Sequence, residues 1–393
     1  MKTILIAVGN AHFKFNNTHS AVASYLNTFK NHLERQDYNV VLSDSVSEKA
    51  SSTSNTNSTS NKSSLKSLAK KVVPRFIRKV ADKKSIKQID ALTSELLEKI
   101  KPDFVIEFLD YYSQIAFAFK KKYNIPYLLI YDAPIQQKYI DIHGHTSGLN
   151  NVLKKRESDS ISNADHIICY SKPVWDYVQK HFSTNVHHEI LPTIVWERMV
   201  EKESELEDEI ISIGFIGSFL KWHYVDVLAR VFNQLADKHA NIELVLIGYG
   251  LEWENIKTQI DGYKHKDRIK MTGFVDDTEM QGLKNKMDIG VMAGSNWYGS
   301  PLKIFEYAKL NIPVIGPDSP TVLDLFEAEK ELLVVDSNSS ETSLYNHLES
   351  LIINPNLRKQ LAGALRTKVD TAYSKKYYFS CFDGIIEASL TKV

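Results

Sequence analysis

The chain has 393 residues, more than a single hydrophobic core usually supports, so its length points to two domains. Lys plus Arg equals Asp plus Glu at 48 each, which excludes a bulk attraction to nucleic acid and leaves charge effects to local patches. Apolar content of 43% is enough for packed cores, while no stretch approaches the ~20 apolar residues that span a bilayer.

The opening apolar run, residues 4–8, is too short for a signal-peptide core followed by a cleavage site and reads as a buried parallel strand. Apolar runs at 4–8, 40–42, 104–108, 127–131 and 166–169 alternate with helical patterns such as 20–34, which predicts a parallel sheet covered by helices. This is expected to be one α/β domain within residues 1–200, its last elements ending near Leu191 and Pro192. Residues 50–64 are almost all Ser, Thr and Asn, a flexible loop with too little apolar surface to pack. Residues 65–89 follow as a basic amphipathic helix, with Lys66, Lys70, Lys71, Arg75, Arg78, Lys79, Lys83, Lys84 and Lys87 interleaved with apolar side chains. Such a helix suits an anionic membrane surface or anionic acceptor; a solvated face on a lysine-rich chain explains it equally well.

Residues 201–209 are acidic and read as an exposed linker. A second α/β alternation occupies 210–370, with strands expected at 210–216, 243–247, 269–271, 289–293, 314–315 and 332–335. Two Rossmann-like domains in tandem are the simplest architecture. The aromatic, amphipathic stretch 373–390, within residues 371–393, is expected to form a helix packing back on the N-terminal domain. The two cysteines, Cys169 and Cys381, are far apart with no CxxC and no histidine at zinc-ligand spacing, so reduced thiols in a cytosolic protein are expected and no metal site.

The segment Gly299-Ser-Pro-Leu-Lys-Ile-Phe-Glu-Tyr-Ala-Lys-Leu-Asn-Ile-Pro-Val-Ile-Gly316 carries the most chemical information. Ser300 suits an N-cap and Pro301 the first helical position, with Asn311 and Pro313 ending the helix. The free N–H groups of the helix's first turn and the positive end of its dipole form an anion site, and Lys303 adds a full charge within that turn. Glu306 lies on the same face, its Cβ about 5–6 Å from that of Lys303, where a carboxylate can accept from ribose hydroxyls. A common surface Lys–Glu pair is the competing explanation.

Glycine-bearing loops follow successive strands of the second domain. Gly214-Phe-Ile-Gly217-Ser218 closes the first, Gly248-Tyr249-Gly250 the next, and Thr272-Gly273-Phe274-Val275 the third. None is the GxGxxG dinucleotide fingerprint, which argues against a dehydrogenase. Lys221 and His223 share the first loop and can meet the same phosphates as Lys303. Together with the helix after Ser300 these loops describe a nucleotide pocket at one rim.

The ordered set Gly214-Phe-Ile-Gly-Ser, Trp222-His223, Leu246-Ile-Gly-Tyr-Gly, Gly273-Phe-Val, Met287-Asp-Ile-Gly, Ser300-Pro-Leu-Lys-Ile-Phe-Glu-Tyr-Ala and Ile312-Pro-Val-Ile-Gly resembles the donor half of GT-B glycosyltransferases of retaining family 4. The likeness covers about residues 210–320, with a looser match at 125–134 and 164–171. It implies two Rossmann-like domains facing each other across a cleft, with Lys303 on the donor diphosphate, Glu306 on the ribose, and His223 as a second phosphate contact. Three positions depart from the family pattern. Tyr298 stands where a second glutamate is usual, Tyr224 where a glycine follows His223, and Pro192-Thr-Ile-Val195 replaces a more regular segment.

The combined reading is a hexosyltransferase that uses a nucleoside diphosphate sugar, with retention and without metal or other cofactor. Lys303 and His223 would stabilise the departing diphosphate, and Gly217, Ser218, Lys221, Gly248, Gly250, Phe274, Ser300, Pro301, Leu302 and Glu306 would line the donor site. The acceptor, a saccharide or lipid-linked molecule of surface polysaccharide or glycoconjugate synthesis, would meet the first domain at residues 9–13, 110–113 and 132–134 and at His143 or His145, with Asp132 near its hydroxyl. Nucleic acid is not an expected partner. The expected location is cytoplasmic, peripheral to the inner face of the membrane. A non-catalytic nucleotide-sugar-binding subunit and a nucleotide-sugar epimerase on the same fold are the alternatives.

Overall fold

The structure, a computed structural model, describes residues 1–17, 20–45, 75–182, 184–196 and 210–391. The loop at 50–64, residues 65–74 of the basic stretch and the acidic residues 201–209 lie outside the described residues. The chain divides into two units, Met1–Val195 with Tyr378–Val393, and Trp196–Tyr377.

The first unit is a six-stranded sheet of β1 (Thr3–Val8), β2 (Asn39–Leu42), β3 (Phe104–Phe108), β4 (Tyr127–Tyr131), β5 (His166–Cys169) and β6 (His187–Ile190), in the order β2-β1-β3-β4-β5-β6. Every pairing is parallel, and β3 and β4 are buried along their whole length, as continuous apolar runs require. Its helices are α1 (Ala21–Glu34), α2 (Arg75–Lys99), α3 (Ile115–Tyr123), α4 (Ile135–His143), α5 (Asn150–Ser162) and α6 (Lys172–Phe182). Ser20 caps α1, its hydroxyl accepting from the Ala23 N–H. The one acid in β3, Glu107, is fully buried and accepts from the N–H groups of Ile115 (3.2 Å) and Ala116 (2.9 Å), so it caps α3 from inside the core. Burial pushes its carboxyl up to about 7 despite those donors.

The second unit repeats the plan with β7 (Ile211–Ile216), β8 (Ile242–Ile247), β9 (Ile269–Gly273), β10 (Ile289–Val291), β11 (Val314–Pro317) and β12 (Leu333–Val335), ordered β12-β11-β10-β7-β8-β9 and all parallel. Helices α7 (Val225–Leu235), α8 (Trp253–Asp261), α9 (Asp277–Asn285), α10 (Leu302–Lys309), α11 (Pro320–Leu325), α12 (Ser340–Ile353) and α13 (Pro355–Ala372) surround it. Phe215, Phe219, Leu228, Phe232, Leu244 and Ile289 belong to its continuous apolar core. Strand order reverses between β7 and β10 here and between β1 and β3 in the first unit, and ligands of open parallel sheets bind outside the carboxyl ends of the strands at such switch points.

The last helix, α14 (Lys375–Leu390), belongs to the first unit from Tyr378 onward. Tyr378 bonds Tyr25 (2.5 Å between hydroxyls), Phe382 stacks on Phe29 with ring centroids 4.4 Å apart, and Asp383 pairs with His32 at 2.7 Å. The stretch joins α1 through its aromatic face.

Candidate functional site

At the switch point of the second unit, β7 runs into Gly217 with φ of 140°, a conformation that L side chains avoid. A Cβ there would lie 2.5 Å from Lys303 Cε, so the glycine makes room for that side chain. Gly248, after β8, has φ of 124°, and a Cβ on it would come within 2.1 Å of the Gly217 carbonyl oxygen. The loops are joined by main-chain bonds: Gly217 N–H donates to Ile247 O (2.9 Å), Phe219 N–H to Tyr249 O (3.2 Å), and Gly248 N–H to Gly273 O (3.1 Å). Gly250 packs against the Phe219 backbone.

His223 sits in a short 3-10 turn, Lys221–His223, and is 8% exposed. Its Nδ1–H donates to the Ser218 carbonyl at 2.6 Å, which leaves the Nε2 lone pair facing Lys303 Nζ at 3.4 Å. Burial, reinforced by the Lys303 charge, holds this imidazole down at about 3, so it is neutral at physiological pH. Burial also lowers the Lys303 ammonium to about 8, while Nζ lies 5.5 Å from the centre of the Phe215 ring. Lys221 is exposed on the same turn.

Tyr224 takes φ of 50° and ψ of 37°, the left-handed conformation a glycine would adopt, at a cost of about 1–2 kcal/mol. Gly294 offsets the bulk: a Cβ on it would lie 2.4 Å from Tyr224 Cδ2. The loop makes its left-handed turn with a tyrosine at this position.

Helix α10 corrects the reading of Ser300 as its N-cap. The cap is Pro301, with φ of −83° and ψ of 45° and no side-chain hydrogen bond, and the helix begins at Leu302. Ser300 lies one residue too early to reach the first-turn N–H groups, and its Oγ is buried without a hydrogen-bond partner among the described residues. Ile304 N–H donates to Pro301 O at 2.9 Å, and the N–H groups of Leu302 and Lys303 donate to no described residue. They leave the positive end of the helix dipole open.

Lys303 and Glu306 do not pair with each other, so the surface-pair explanation fails. Glu306 is 8% exposed and accepts from Lys284 Nζ, at the end of α9, at 2.9 Å. Tyr307 anchors the helix to β7, its hydroxyl accepting from Ile216 N–H at 3.0 Å and donating to Gly214 O at 3.3 Å. Phe274, after β9, is 73% exposed and lies 5.6 Å from the Tyr249 ring, which in turn lies 5.1 Å from Trp253. Tyr298 is 5% exposed, with its ring edge-on to Trp297 at 5.5 Å.

In the first unit, the carboxyl ends of β1, β3 and β4 bring together Asn10, Asp110 and Asp132. Asn10 donates to Asp110 at 3.4 Å, and Lys138 from α4 donates to Asp132 Oδ2 at 2.7 Å. Asp132 Oδ1 is buried with no hydrogen-bond partner among the described residues. Burial raises the Asp132 carboxyl above the usual range. Burial opposes the Lys138 charge, yet Asp132 and Asp110 together raise its ammonium. Burial and Arg78 push His143 down to about 4. Asp82 of α2 accepts from the hydroxyls of Tyr112 (2.9 Å), Tyr139 (2.9 Å) and Ser147 (2.6 Å), fastening that helix to the loops after β3 and α4.

Sequence reasoning missed Lys284 and Lys138. Each is a single lysine in an amphipathic helix, and only the tertiary fold brings it to a buried carboxylate. Among the described residues, no three or more His, Cys, Asp or Glu side chains gather as metal ligands would.

Residues 197–367 match the family model described as Glycosyl transferases group 1. The chain is 24% identical over 210 residues to an uncharacterized glycosyltransferase of Haemophilus influenzae, covering 53% of this chain and 57% of that one. It is 27% identical over 126 residues to the O-antigen biosynthesis glycosyltransferase WclY of Escherichia coli, covering 32% and 34%. The matches therefore span only about a third to just over half of these relatives. Among solved structures, sucrose-phosphate synthase from Thermosynechococcus elongatus superposes with a TM-score of 0.75 at 14% identity over 100% of both chains. Anabaena HepE, solved with UDP, superposes at 0.66 and 13% identity over 99% of this chain and 100% of its own. The pair of parallel six-stranded units is the GT-B fold of these neighbours, and the sequence likeness of the second unit is to group 1 glycosyltransferases.

Proposed function

We propose that this protein is a glycosyltransferase that moves a hexose-type sugar from a nucleoside diphosphate sugar to a saccharide or lipid-linked acceptor, with retention and without a metal. The observation that carries the reading is the group at the β7–β10 switch point: a lysine with no ion pair among the described residues, a neutral histidine bonded to it, and helix N–H groups beside Gly217 that donate to no described residue. These are donors preorganised for an anion. The diphosphate would lie on Lys303, His223 and the N–H groups of Leu302 and Lys303, with Gly217, Ser218, Gly248 and Gly250 letting it approach the main chain.

Phe274 and Tyr249 offer a flat face for the base, and Glu306 an acceptor for ribose hydroxyls. Catalysis then rests on orienting the donor and on stabilising charge as the diphosphate departs. In the first unit, the unpartnered oxygen of Asp132 is the group best suited to accept a proton from, or orient, an acceptor hydroxyl, with Lys138 holding the other oxygen. The likeness to an O-antigen enzyme supports a role in surface polysaccharide or glycoconjugate synthesis at the cytoplasmic membrane face.

The buried Tyr298 at the family's glutamate position favours one second reading, a nucleotide-sugar-binding subunit without transfer activity. A thermal-shift screen against UDP, GDP, ADP and their sugars, with Lys303→Ala alongside, tests the donor site. One diphosphate is expected to stabilise the protein, and the substitution is expected to weaken that binding about ten- to a hundredfold. No stabilisation by any of them would reject the donor reading. Release of labelled sugar from the selected donor separates an enzyme from a binding subunit.

A further inference from the structure

We propose that Lys284 is a positioning residue that sets the ribose selectivity of the donor site, a reading that rests on the nucleotide-sugar function above. The ion pair of Lys284 with Glu306 is buried at both ends, with side-chain exposures of 7% and 10%. Burying two charges is expensive, and an apolar pair of similar volume is often as stable, so the pair is poorly explained by stability alone. Its place in the site gives it a different purpose.

Glu306 stands one helical turn beyond Lys303, where a bare carboxylate would repel the ligand's phosphates. Lys284 cancels that charge from the side of α9, and Lys303 is left with no carboxylate within ion-pair distance among the described residues. The pair also fixes orientation. Lys284 occupies Oε2, while Oε1 accepts from no described residue and keeps its lone pairs for a donor. Either ribose hydroxyl can supply such a donor, and the deoxy form missing the hydroxyl that faces Oε1 lacks it. Tyr307, the next residue, is bonded to both Ile216 and Gly214, so the backbone carrying Glu306 is held while Lys284 sets the side chain.

The test uses whichever of UDP, GDP and ADP binds the full chain most tightly, with its 2′-deoxy and 3′-deoxy forms, in titration calorimetry. The wild type is expected to prefer the ribonucleotide over at least one deoxy form by about tenfold or more. Lys284→Met is expected to lose most of that preference and Lys284→Arg to keep it. Because Lys284→Met leaves a buried carboxylate unpaired and can impair folding, the double change Lys284→Met with Glu306→Leu serves as the folded control. It is expected to bind the diphosphate without ribose discrimination. Wild-type discrimination in either methionine variant would overturn the assignment of Lys284, and so would a wild type indifferent to the hydroxyls. Absence of any nucleotide binding by the wild type would overturn the donor reading itself, and this inference with it.

Discussion

Lys303 shows how far one residue can be read from sequence. Its position in the first turn of a helix made it an expected anion contact, and the (i, i+3) spacing put it on one face with Glu306. Spacing does not say which partner each side chain takes; the loop after β7 gives Lys303 to His223, and α9 gives Glu306 to Lys284. The depressed ammonium has a consequence for binding. Burial holds the Lys303 ammonium down at about 8, and a diphosphate bound beside it would stabilise the charged form and raise that value. Between pH ~6, where the diphosphate takes up its last proton, and about 8 the clamp is already charged and affinity is expected to be flat. Above it, binding must take up a proton, and affinity falls as pH rises. The diphosphate itself is fully ionised there, since such phosphates lose their last proton near pH ~6. Calorimetry above pH ~8, in two buffers of different ionisation enthalpy, should detect the uptake; Lys303→Arg, charged throughout, should abolish it. Binding without proton uptake in the wild type would contradict the assigned state.

Elements were legible where hydrophobicity set them. The runs 104–108, 127–131 and 166–169 are β3, β4 and β5 to the residue, because strands covered on both faces read as near-continuous apolar runs, which the capping Glu107 interrupts without hiding. Strand β6, His-His-Glu-Ile, was missed because this edge strand is largely exposed and has no apolar pattern to reveal it. The start of α10 was misplaced because cap propensity favours serine, whereas the backbone at Pro301 sets the first turn. Helix α2 continues ten residues beyond the basic stretch to Lys99, and its later turns bury Ile89, Leu92 and Leu96. Its first turns differ: Ile77 and Val80 are 46% and 66% exposed among the exposed Lys79, Lys83, Lys84 and Lys87. That combination is what an anionic lipid surface binds. Ile77→Glu with Val80→Glu is expected to weaken binding of the full chain to phosphatidylglycerol vesicles, read by co-sedimentation, by about a hundredfold or more, each change removing roughly 1.5–3 kcal/mol of apolar burial. Equal recovery of the two proteins, or equal recovery on phosphatidylcholine alone, would reject the membrane contact.

At the scale of the molecule, alternating runs foretold two α/β units, but not the strand orders that put a switch point beside Gly217 and another beside Asn10. Those orders arise from long-range pairing, which no local pattern encodes. The aromatic end of the chain was legible as a helix, and its partners in α1 follow from the fold. A chain ending at Tyr377 would uncover Tyr25 and Phe29 and lose the aromatic residues packed on them. With roughly 1.5–3 kcal/mol at stake for each large side chain, the loss rivals the whole ~5–15 kcal/mol of a typical domain. Scanning calorimetry of the truncated protein is expected to show the first unit's transition lost or strongly lowered and the second unit's retained; an unchanged melting profile would refute this. The same arrangement bears on biosynthesis. On the ribosome, residues 196–377 emerge in full before Tyr378 does, so the unit translated first is the one completed last, and until then its aromatic face stays open to chaperones and to other nascent chains.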